Sequence, residues 1–316
     1  MAERLFKYLV FMLRIRRIEF RIAEIPILAI PILLMIRDTS ILYTFPFWEG
    51  VFIFFLLFAF GDMINCLADR DLDAVYKPHL SESVYGLGVG FVTFQVIASA
   101  LLAVVLSIHL SVTLNRWPIA AMTVIGVLLG AAYSVKPVQL KGRGLLQLLC
   151  LWVIIFVGPV MFVSQLISAE MSIPVLVFTA FYGMLQMGII LINTAEDYSE
   201  DLASGIRTTI VTLGLHRGIM LAFYSAAVGS IGSLAALAWF YTGKVSLPVW
   251  IVGLFPAFAA CVFVNVGIWR LHRSISTQDL NESLILVKKA AKLVPVWVTV
   301  VAWSMLWSSY LFFYWR

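Results

Sequence analysis

Residues 51–73 read VFIFFLLFAFGDMINCLADRDLD: ten consecutive apolar residues run straight into a segment carrying four aspartates. A hydrocarbon core about 30 Å thick needs about twenty apolar residues to cross it as a helix, and the flanking residues extend this run to that length. Comparable runs recur along the whole chain, centred near residues 30, 56, 99, 125, 154, 183, 229, 258 and 304. The first is the weakest, because Glu24, Pro26 and Pro31 interrupt it.

Composition agrees with a membrane class. The 316 residues are 62% hydrophobic and 12% charged, with a mean hydropathy of +0.99. A water-soluble domain carries roughly 25% charged residues, so too little polar surface is available here to cover one. Three scattered cysteines, Cys66, Cys150 and Cys261, lack zinc spacing and disulfide density and read as packing residues. No nucleic-acid partner is expected.

The placement of the charges sets the topology. With the N-terminus cytoplasmic, Arg37, Arg116, Lys244 and Arg316 fall outside, leaving 18 of the 22 lysines and arginines inside. That asymmetry is what the positive-inside rule asks of nine spans in this orientation, and it puts the C-terminus on the opposite side. The expected fold is therefore all-α, a polytopic bundle of about nine transmembrane helices over residues 22–316. A basic amphipathic segment, residues 1–21, would lie on the cytoplasmic membrane surface. It has no compact apolar core with a small-residue cleavage site, so a cleaved leader is not expected.

Eight of the 17 acidic residues lie in two short stretches, 61–73 and 192–201, at the cytoplasmic ends of the second and sixth spans. Helix C-termini and cytoplasmic flanks both favour cations, so these carboxylates point to function. Asn65, Asp69 and Asp73 are four apart and share one helical face, and Asn193, Asp197 and Asp201 repeat the pattern. Asp62 can join the first face, Asp71 points away from it, and Glu196 and Glu200 form a stripe beside the second. Oxygen donors without His or Cys favour Mg²⁺ or Ca²⁺. Two such faces meeting at one membrane depth would make a metal-assisted clamp for a diphosphate. The motifs recur four spans apart, each four-span block ending in a basic segment, which suggests an internal quasi-repeat.

Basic loops follow the acidic ends. Lys77 lies in AVYKP (74–78), Tyr133, Ser134 and Lys141 in YSVKPVQLKGRG (133–144), and Arg207 in LASGIRTT (202–209). Lysine meets phosphate as a point charge and arginine as a fork, while a Tyr–Ser hydroxyl pair at a helix end can donate to phosphate oxygens. Among the arginines before the first span, Arg17 and Arg21 are nearest the apolar segment and are the candidates to turn inward. The four histidines are scattered, and none is assigned to catalysis.

This set of residues resembles the UbiA superfamily of intramembrane aromatic prenyltransferases. The likeness rests on Asn65-x₃-Asp69-x₃-Asp73 with Lys77-Pro78, Tyr133-Ser134 with Lys141-Gly-Arg-Gly144, Asp197-x₃-Asp201-x₃-Gly205-x₂-Thr208, and Leu213-Gly214. It implies a helical bundle around a central cavity, with Asn65, Asp69, Asp197 and Asp201 carrying two Mg²⁺ ions and Asp73 completing the first motif. Tyr133, Lys77, Lys141 and Arg207 would contact the diphosphate. The implied reaction ionises an allylic prenyl diphosphate, and a lipophilic, commonly aromatic, acceptor captures the cation in an apolar cavity. Phe181, Tyr182, Met184 and Met187, just before the second motif, are candidates for its wall.

Two departures stand out: Cys66 where the family usually has aspartate, and Lys77-Pro-His-Leu-Ser81 where it commonly has Lys-Pro-x-Arg-Pro. The second leaves terpene cyclisation as the alternative chemistry. A divalent-cation or anion transporter fits less well, because both acidic clusters lie at one side of the membrane instead of its midplane.

Overall fold

The computed structural model describes residues 2–168, 170–276 and 278–315, with the side chains of residues 2 and 3 left out. The chain is all-helical: α1 (Ala2–Arg14), α2 (Ile18–Met35), α3 (Phe45–Tyr76), α4 (Pro78–Leu87), α5 (Val89–Leu114), α6 (Pro118–Ser134), α7 (Leu145–Trp152), α8 (Gly158–Leu166), α9 (Ile173–Glu196), α10 (Tyr198–Ala203), α11 (Thr209–Leu213), α12 (Leu215–Tyr241), α13 (Leu247–Ile275), α14 (Leu280–Ala291) and α15 (Val294–Trp315). A π turn, Val153–Val157, joins α7 to α8.

All nine expected span centres lie in helices. Among the described residues seven helices are long and apolar enough to cross a membrane: α3, α5, the continuous α7–α8, α9, α12, α13 and α15. The other two fall short for physical reasons. α2 runs unbroken through Pro26 and Pro31 but carries Glu19, Arg21 and Glu24 within its 18 residues. α6 has 17 residues, about 25 Å at 1.5 Å per residue, against a core of about 30 Å.

The chain divides into two compact units. The first comprises Met1–Arg21, Asp38–Leu140 and Gln165–Ser168. Here α3 packs against α5 and α6, and α1 lies on α4. The N-terminal segment, expected as a separate surface piece, inserts Phe11 and Ile15 into a core with Phe60, Met63, Cys66, Leu80, Val84 and Val92. Its other apolar face, Leu5, Phe6 and Leu9, stays exposed, as an interfacial helix requires. At the end of this unit remote from the first motif, buried Glu49 on α3 meets His109 Nδ1 on α5 at 2.8 Å. Arg116, just past α5, donates to the Gln165 carbonyl at 2.6 Å.

The second unit comprises Ile22–Arg37, Lys141–Ser164 and Ala169–Arg316. Its boundary at residue 141 falls between the fourth and fifth expected spans, although most of α2 goes with the later helices. α9 is its central element: 67% of its apolar window is buried, against at most 39% in the other candidate spans. α12 packs along α9 through small residues such as Ala222 and Ala226, which let the helices approach closely. Lys244, just past α12, sits over the Phe312 ring of α15 at 5.0 Å. Arg316, the fourth of the cations expected outside, lies beyond the described residues.

Candidate active site

In the first unit, Asn65, Asp69 and Asp73 fall on the last three turns of α3, all half-buried. The helix continues to Tyr76, so the four-residue spacing is realised as a stripe on one face. Ser134, the last residue of α6, donates from Oγ to Asn65 Oδ1 at 3.3 Å, and Tyr133 sits beside it. The hydroxyl residue singled out for phosphate thus meets the first motif directly.

Lys77 is the hinge between α3 and α4: its N–H closes on the Asp73 carbonyl at 2.8 Å, and Pro78 starts the next helix. Cys66 is buried in the core, so the departure at this position leaves the motif face unchanged. Asp71 points outward, where it accepts from the Tyr85 hydroxyl and lies 3.5 Å from Arg70.

The two arginines of the N-terminal segment are already engaged. Arg17 Nε donates to Glu19 at 2.6 Å, and Arg21 Nη2 donates to Asp62 Oδ2 at 2.7 Å. Burial pulls the Arg17 guanidinium down, but the adjacent Glu19 carboxylate, with Cys66 and Asp62 nearby, holds it above its usual value. Arg16 is held below its usual value by burial and by Arg21 beside it.

The second motif, in the second unit, differs from the first in one respect. Asn193 is on α9 and Asp201 on α10, but Asp197 stands at a break between them with φ −88° and ψ 8°. That is the sparsely allowed bridge region, where residue i+2 of turns and many site residues sit. The Asp201 N–H still bonds the Asp197 carbonyl at 2.8 Å, so the four-residue step survives while the helix axis does not. The expectation of one continuous helical face is corrected here to a helix end, a break and a short second helix. Asp201 is buried, and Lys288 of α14 lies 3.6 Å from its neighbour Glu200.

Two basic loops come together in this unit. Arg143 and Arg207 form an isolated parallel bridge, and the Gly144 N–H donates to the Arg207 carbonyl at 2.7 Å. Fully buried Thr209 locks the junction. Its N–H donates to Gln147 Oε1 at 2.9 Å, and its hydroxyl donates to the Gly144 carbonyl at 2.8 Å. Lys141 is buried in one of these loops, and Arg207 is exposed on the other. Thr208 caps α11 through its hydroxyl. The candidate site residues read from the sequence did not include Gln147, Arg143 or Lys288.

Among the described residues no three His, Cys, Asp or Glu side chains form a ready-made chelate. Each motif instead offers two aspartates and an asparagine. That donor set fits Mg²⁺, which takes one or two carboxylates and completes its octahedron with water and phosphate oxygens.

A solved structure of digeranylgeranylglyceryl phosphate synthase superposes with a TM-score of 0.63 at 14% identity, covering 98% of this chain and 99% of that one. A UbiA homolog from Archaeoglobus fulgidus, bound to DMAPP and Mg²⁺, superposes with a TM-score of 0.58 at 17% identity, covering 92% of this chain and 98% of that one. At such identities these likenesses establish the fold. In sequence, the chain is 26% identical over 161 residues to the chloroplastic chlorophyll synthase of Oryza sativa subsp. japonica, spanning 50% of this chain and 43% of that relative. The model of the UbiA prenyltransferase family matches residues 25–286, most of the chain, and the protein belongs to that family.

Proposed function

We propose that this integral membrane protein is a Mg²⁺-dependent prenyltransferase that ionises an allylic isoprenyl diphosphate and passes the prenyl group to a lipophilic acceptor. The observation that carries the reading is the recurrence of an Asn-x₃-Asp-x₃-Asp set at the ends of α3 and α9–α10, each with basic loops beside it. Solved relatives bound to DMAPP or GPP with Mg²⁺ support it. Asn65, Asp69 and Asp73 would hold one ion, and Asn193, Asp197 and Asp201 a second. The metal would supply charge neutralisation to the leaving diphosphate.

The remaining roles fall to the chain. Lys77, Lys141, Arg207 and Tyr133 bind diphosphate oxygens, and Ser134 orients the Asn65 amide. Arg17 and Arg21, as placed, brace the start of α2. The allylic C–O bond breaks with its electron pair leaving on diphosphate. The allylic cation is captured by an electron pair of the acceptor, which then loses a proton. Apolar walls keep water from competing. The motif ends and the N-terminus face the cytoplasm, with the C-terminus opposite, as the charge asymmetry supports.

The test incubates purified protein and Mg²⁺ with geranyl, farnesyl and geranylgeranyl diphosphates, with and without a membrane lipid extract. A prenylated lipid formed only with the extract is the expected product. A cyclic hydrocarbon formed without it would replace transfer by cyclisation.

A further inference from the structure

On α9, Tyr182 and Gln186 are 4% and 2% exposed. Gln186 Nε2 donates to the Tyr182 hydroxyl at 3.0 Å, while Gln186 Oε1 meets no donor among the described residues. The two ends of an amide are told apart only by their hydrogen bonds. In either orientation one polar atom of this buried side chain is left unmatched. Such an atom is costly in an apolar interior and calls for an explanation.

The surroundings are mostly apolar, and Thr179 on the same helix gives its hydroxyl to the Val175 carbonyl. The Tyr182 ring stacks on Phe178 at 5.3 Å and meets Phe156 edge-on at 5.5 Å. It also lines a narrow apolar cleft with Ile30, Leu34 and Val160. Phe156 lies in the π turn, a local irregularity that recurs at functional sites in helices. Gly183 admits this turn, because a Cβ there would stand 2.4 Å from Trp152 Nε1 and 3.2 Å from the Phe156 ring.

Helical register ties the pair to the second motif. Asn193 is two turns beyond Gln186, within about 20° of the same face and about 10 Å along the axis. The amide therefore lies on the Asn193 stripe of α9, on its membrane-interior side.

We propose that Gln186, braced by Tyr182, receives the hydroxyl group of the lipophilic co-substrate, an alcohol or phenol. This deepens the transferase reading and rests on it. A hydroxyl both donates and accepts, so it matches the amide in either orientation. The hydrocarbon tail of a prenyl donor cannot.

The test compares wild type with Gln186→Leu, using a tritiated long-chain alkylphenol and its O-methyl ether as probes in detergent. Wild type binds the phenol roughly tenfold more tightly than the ether, the worth of one buried hydrogen bond. Gln186→Leu loses that preference and binds the ether unchanged. With the alkylphenol as acceptor, its Mg²⁺-dependent prenyl transfer falls about tenfold, through KM for the phenol. The proposal is overturned if wild type binds neither probe, or binds both equally. A preference that survives in Gln186→Leu also overturns it. Absence of diphosphate release in wild type would instead defeat the transferase reading, with phenol binding still reporting on Gln186.

Discussion

Arg21 Nη2 and Asp62 Oδ2 form a 2.7 Å ion pair one helical turn before Asn65. The pair fixes the start of α2 to the face of α3 that carries the first motif. It also offsets one of the carboxylates that would otherwise repel an incoming diphosphate. Both side chains are partly exposed, so its coupling energy should be modest, about 1 kcal/mol. Arg21→Gln and Asp62→Asn should each lower the denaturation midpoint, and the double variant should lose less than their sum. Turnover in the double variant separates the roles: near-normal activity fits a brace, whereas a loss of a hundredfold or so would make Arg21 a diphosphate ligand.

Thr209 joins the two basic loops by three hydrogen bonds to Gln147 and the Gly144 carbonyl. Thr209→Val keeps the shape but leaves a buried carbonyl short of its donor, at a cost of about 1–3 kcal/mol. Because Lys141 and Arg207 sit in those loops, KM for the prenyl diphosphate should rise more than kcat falls. Steady-state kinetics with varied donor check this; an effect on kcat alone would detach the loops from donor binding.

Gly205 has φ +70° in the turn after α10, where its N–H bonds the Leu202 carbonyl and Ile206 bonds back to Asp201. A Cβ in that conformation costs about 1–2 kcal/mol. Gly205→Ala should lower thermal stability by that amount. Gly205→Asn should be milder, since asparagine tolerates left-handed backbone better.

His79 is held below its ordinary value of 6.5 by partial burial, then by Arg14 and Arg17, with Lys77 adding and Glu19 opposing. A group whose folded-state value is depressed takes up protons more readily when unfolded. Its contribution is complete above pH 6.5 and is lost as pH falls through the folded-state value. Unfolding curves should therefore show stability declining below pH 6.5, and His79→Asn should flatten that decline.

The sequence made the spans legible because the bilayer imposes their length and polarity, so every expected centre lies in a helix. The first motif was legible for the same kind of reason: its spacing matches the helix period, and α3 is unbroken through it. Asp197 was not. Four-residue spacing is compatible with one helix or with a break that keeps a single i→i+4 bond, and the structure has the break. The π turn was hidden inside a uniformly apolar stretch, VIIFV, in which periodicity cannot register an extra residue per turn. The contacts Ser134–Asn65, Thr209–Gln147 and Arg21–Asp62 span 69, 62 and 41 residues. Only tertiary packing reveals such pairings, since nothing local in the sequence specifies them.

The most direct measurement is diphosphate release from geranylgeranyl diphosphate by the purified protein, with Mg²⁺ and with excess EDTA, for wild type, Asp69→Ala and Asp197→Ala. Wild type should release diphosphate in a reaction that EDTA abolishes, and each variant should fall by a hundredfold or more. Release that persists in EDTA, or full activity in either variant, would contradict the assignment of both aspartate motifs to one metal-dependent reaction.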